Sequence, residues 1–169
     1  MTGVCSTERE SGRRPGARAW QADAMTGPPA PDRPAMAHRL ITMRRSITQL
    51  ESLGPIDGNR FARDSTAGLV IERVLALLAD LAFAVNCAVV PSAPRTPAES
   101  FEAACRIGLI DAEVAAALAP VEGPHHVLMQ LSLDVEPDEA AAVVSRALAG
   151  YREYVRQVAG WLTGADSTV

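Results

Sequence analysis

The sequence predicts an all-α fold, a helical bundle of three long and two or three short helices. Three observations carry that prediction. Apolar residues recur at steps of three and four in three separate stretches, the repeat of a single helical face. Proline and glycine stand between those stretches, where helices end. Aromatic residues are only 4% of a chain that is 48% hydrophobic, so the core is built from Ala, Leu and Val, which suits packed helices better than a β-sandwich.

The first stripe is Met36, Leu40, Met43, Ile47 and Leu50, predicting a helix at about 38–52 that Gly54-Pro55 stops. A connector around Asn59–Arg63 follows, and Asp64, Ser65 or Thr66 caps the next helix, at about 65–89. That helix has two apolar stripes. Val70, Val74, Leu77, Leu81 and Ala84 form one, and Ile71, Leu75, Leu78 and Val85 the other. A helix apolar on two faces is either central to a bundle or buries its second face in a dimer. Thr96-Pro97-Ala98-Glu99 is a capping box with Pro at the first helical position. It opens a helix that carries Phe101, Ala104 and Cys105 and ends near Gly108. Asp111 caps a short helix through Leu118, and Gly123-Pro124 opens another, His125 to Leu133. Beyond Glu136-Pro137, Val144, Leu148, Tyr151, Val155, Val158 and Leu162 form the cleanest stripe, a helix at about 138–162. No strand pattern and no internal repeat appears.

Residues 1–35 differ from the rest, with five prolines, four glycines and five arginines and no apolar period. Such a tail buries too little to offset its ordering entropy and is expected to be disordered. Met25, Met36 and Met43 are in-frame alternatives to Met1, so a start assigned too far upstream is one reading of it. The folded domain is expected over 36–163, with a flexible C-terminus at 164–169. No stretch reads as a signal peptide, and the apolar run Leu69 to Val90 is broken by Glu72, Arg73 and Asp80, so no membrane span is expected. Cys5, Cys87 and Cys105 form neither a disulfide framework nor a zinc ribbon, and the cytoplasm is the expected compartment. All 16 basic residues are Arg, which reads as codon bias. A net charge of -4 argues against coating nucleic acid by bulk electrostatics but leaves room for a local Arg patch.

His38, His125 and His126 are the histidines, and neighbours on a helix point about 100° apart, so no metal site and no cofactor are expected. Glu72 and Asp80, two turns apart, read as a polar seam at an exposed edge or dimer interface rather than an acid–base pair.

The segment GPHHVLMQLSLDVEP (123–137), with MRR at 43–45, VIERVLALLADLAFAVN, ESFEAACRIGLIDAEVAAALAP and YREYVRQVAGWL, resembles the HepT family of toxin ribonucleases, part of the HEPN group of helical nucleases. The resemblance spans roughly residues 40–163. Gly123, Val127, Leu128, Leu133, Asp134 and Val135 stand where that family has them. It implies a homodimer with a shared cleft, RNA as substrate, and a nucleotidyltransferase antitoxin as partner. It also implies an active site of an Arg, four residues, a His, one residue and a Tyr, cutting RNA without metal through the 2′-hydroxyl. Here His125 fills the Arg slot, Gln130 the His slot and Ser132 the Tyr slot. An amide has no usable pKa, so Gln130 cannot move protons, a loss of roughly 10²–10⁴-fold. His125 lacks the fixed charge and the fork of a guanidinium. Ser132 lacks the phenol that the antitoxin modifies. Arg33 and His38 match the spacing by chance, with Leu40 in the Tyr slot. Three readings follow: a HepT-like fold with lost or strongly reduced ribonuclease activity and a binding or regulatory role, an active metal-independent ribonuclease using His125 and His126, or a non-catalytic helical dimerisation module.

Overall fold

A computed structural model of the chain describes residues 31–91, 93–118 and 136–164. They lie in one compact unit that begins at Pro31. Among them every regular element is helical, as predicted: α1 (Arg33–Ser52), α2 (Gly58–Arg63), α3 (Ser65–Val89), α4 (Pro97–Arg106), α5 (Ala112–Leu118) and α6 (Pro137–Gly164).

Local chemistry fixes where each helix starts and stops. The Asp32 carboxylate accepts the Ala35 N–H at 3.0 Å and Pro34 sits in the first turn, so α1 begins at Arg33. That corrects the expected boundary: 33–35 belong to a helix, because an Asp-x-Pro start outweighs the lack of an apolar period before Met36. Residues 1–30, the rest of the expected tail, and 165–169 lie outside the described residues. The whole predicted stripe of α1, Met36 through Leu50, is buried. Past its end Gly54 takes φ 97°, the left-handed region that favours glycine. The stretch expected as a connector is instead the short helix α2, packed on α3 and α6. Asp64 is the cap of α3, its carboxylate accepting the Ala67 N–H at 3.0 Å.

Helix α4 opens as its motif predicts. Thr96 Oγ1 accepts the Glu99 N–H at 3.2 Å, while the Glu99 carboxylate accepts from Arg95 N–H at 2.8 Å, one residue earlier than a standard capping box. It closes in a Schellman motif: Leu109 N–H donates to Ala104 C=O and Gly108 N–H to Cys105 C=O, with Gly108 at φ 72°. The Asp111 carboxylate then accepts the Val114 N–H at 2.8 Å and starts α5.

The helices pack around one core in a ring, α1 on α3, α3 on α4, α4 on α5, α5 on α6, and α6 back on α1. Met36, Met43, Leu75, Leu78, Val85, Phe101 and Tyr151 fill it. Helix α3 is therefore one wall of the ring, not its centre. Its stripe Ile71, Leu75, Leu78, Ala82 and Val85 is buried; of the other, Val70 and Leu77 stand exposed while Val74 and Leu81 pack half-buried against the core. Among the described residues no helix is long and apolar enough to cross a membrane.

Candidate functional site

The residues that the resemblance sets in the catalytic slots, His125, Gln130 and Ser132, lie with His126 in 119–135, outside the described residues. So does the expected helix His125 to Leu133. The chain enters that segment from α5, after Leu118, and leaves it at α6, which starts at Pro137.

The described residues bring together three other constellations. The first is a buried polar relay joining α3, α4 and α6. Tyr154 O–H donates to Asn86 Oδ1 at 2.8 Å and lies 3.2 Å from Ala82 C=O. Asn86 Nδ2 donates to Ser100 Oγ at 3.1 Å, and Ser100 O–H donates to Pro97 C=O at 2.7 Å. Asn86, Ser100 and Tyr154 are fully enclosed, and the Phe101 ring meets Tyr154 edge-on at 5.9 Å. Burial, before the nearby charges, pushes both Tyr151 and Tyr154 well above the usual tyrosine range; Asp80 adds to the first shift. Neutral, hydrogen-bonded and closed to solvent, this relay ties helices together. Sequence reasoning passed over it, although Asn86 falls four residues after Ala82 and so on the buried stripe.

The second is the outward face of α3. Leu69 is 66% exposed, Val70 40% and Leu77 38%, with Val74 and Leu81 half-buried beside them. Arg73 and Asp80 stand exposed on the same face, and neither has an ion-pair partner among the described residues. Glu72 is half-buried at its margin. Of the expected seam of Glu72 and Asp80, only Asp80 stands out on this face, where it and Arg73 are opposite charges set in an apolar surface.

The third is a groove of about 330 Å³ between α1 and α6, with Ile47 and Val155 among its lining residues. Arg44, Arg152 and Arg156 also line it. Arg152 is bound to Glu51, Nε to Oε1 at 2.6 Å, and Arg156 to Glu153. The Arg156 bond, reinforced by Gln157, holds the Glu153 carboxyl down to about 2. Two of the three cations are already neutralised, so the groove is a weak anion site. His38 is exposed on α1. Among the described residues, no group of three or more His, Cys, Asp or Glu is placed to hold a metal ion.

No family model matches the chain, and no curated protein matches it either.

Proposed function

We propose that this chain is a HepT-like helical protein of the cytosol that works by binding, as a homodimer, and has lost most or all ribonuclease activity. The observation that carries the binding role is the outward face of α3, where Leu69, Val70 and Leu77 are exposed on a helix whose opposite stripe is packed into the core. Clustered exposed apolar residues on a small domain mark an interaction surface. Loss of chemistry is supported by the sequence, since His125, Gln130 and Ser132 replace the permanent cation, the proton-transfer group and the phenol. The element order supports the ancestry: long helices α1, α3 and α6, with the Gly123–Pro137 segment entering the last of them. RNA and a small nucleotidyltransferase antitoxin are the partners that the ancestry suggests.

The test is expression of the full chain followed by RNA integrity and growth measurements. The native protein is expected to be tolerated and to leave RNA intact. The triple variant His125→Arg, Gln130→His, Ser132→Tyr is expected to arrest growth by rebuilding the family motif. Native protein that degrades RNA, with the activity abolished in His125→Ala, would replace this reading with an altered-site ribonuclease.

A further inference from the structure

We infer that two copies of this chain pair through α3 in an antiparallel arrangement, with Arg73 of each copy bound to Asp80 of the other. Both residues point to solvent from the same face and are seven positions apart, about 10.5 Å along the axis at 1.5 Å per residue. Neither is neutralised among the described residues. A two-fold axis midway between them, beside Leu77, exchanges the ends of the helix. It sets Arg73 against Asp80 twice, once on each side of the axis.

The same operation matches the apolar residues. Leu69 comes opposite Ala84, a large residue against a small one, and Leu77 lies beside the axis next to its own copy. Small Ala84 leaves room for the Leu69 side chain, the most exposed large apolar group on the helix. Direction follows from charge. A parallel pair would set Arg73 against Arg73 and Asp80 against Asp80, like charges in a desolvated seam. The antiparallel pair makes two opposite-charge contacts and excludes its rival. The apolar residues supply the burial, and the charges choose orientation and register.

This pairing rests on the reading of the chain as self-associating; it does not depend on ribonuclease ancestry. Sedimentation of the full chain tests it. Wild type is expected to be a dimer at micromolar concentration, and Arg73→Asp and Asp80→Arg each to raise the dissociation constant about tenfold or more. The double variant, with the charges exchanged, is expected to return to within about threefold of wild type, since like charges become opposite again. Circular dichroism verifies that the variants fold. As a second measurement, Leu77→Cys in a chain carrying Cys5→Ser and Cys87→Ser is expected to join two copies through a short thiol cross-linker, whereas Ser145→Cys on α6 does not. A wild-type dimer that survives both single variants, or cross-links at 145 and not 77, overturns the α3 pairing while leaving self-association intact. A wild type that stays monomeric at every concentration overturns both.

Discussion

At the scale of single residues, the relay Tyr154–Asn86–Ser100 is where the core is most vulnerable to substitution. An isolated buried polar group costs more than a hydrogen bond between two such groups contributes, so removing one partner is worse than the net value of the bond. Tyr154→Phe deletes the O–H that satisfies Asn86 Oδ1 while changing almost no volume. It is expected to lower stability by about 1–3 kcal/mol. In urea this appears as a lower midpoint with an unchanged slope. A polar residue on a buried stripe was legible in the sequence as a position, because Asn86 continues the steps that run through Ala82. Its partner was not. Tyr154 lies 68 positions away, and only the packing of α6 against α3 and α4 brings its hydroxyl to the amide.

At the scale of elements, sequence signals were strongest where a side chain closes a bond to its own helix. Thr96 and Asp111 are read as caps from spacing alone, and Asp64 as one of three candidates with Ser65 and Thr66; Asp64, Thr96 and Asp111 each accept the N–H three residues on. Helix α2 escaped because its six residues, GNRFAR, hold no repeat, and it packs mainly on α6. Gly58 makes that contact possible. A β-carbon there would overlap the Asp138 carboxylate and stand 2.8 Å from the Asp138 backbone nitrogen, which cannot swing aside. Gly58→Ala is therefore expected to destabilise the protein by about 1–3 kcal/mol. Gly160 is the internal control: it sits inside α6, and a β-carbon there would meet nothing within 4 Å. In that open position the alanine only restricts the unfolded chain and favours the helix, so Gly160→Ala is expected to stabilise by about 0.5–1 kcal/mol. Opposite shifts of the two urea midpoints check the pair.

At the scale of the whole molecule, the three long helices and their inward stripes could be read from period and punctuation. The ring could not, since whether α3 lies at the centre or in the wall depends on which neighbours take its faces. The slots at 125, 130 and 132 were legible only as letters in a pattern, and they lie outside the described residues. Composition supplies the last prediction. The chain contains no lysine and two tyrosines, both buried in the described core, so few groups other than these tyrosines and the thiols titrate in moderately alkaline solution. Tyr151 and Tyr154 are held above the usual tyrosine value by burial, and an unfolded chain releases their protons near pH 10. Above that pH the folded state binds more protons than the unfolded one, so stability falls as pH rises. Below it the tyrosine contribution is fully present and flat. Each tyrosine that stays protonated in the fold adds about 1.4 kcal/mol of loss per pH unit. The bundle is expected to open cooperatively in alkali, with the tyrosinate absorbance rising in step with the loss of helical circular dichroism. Absorbance that rises well before the helices melt would show that at least one of the two hydroxyls reaches solvent in the folded protein.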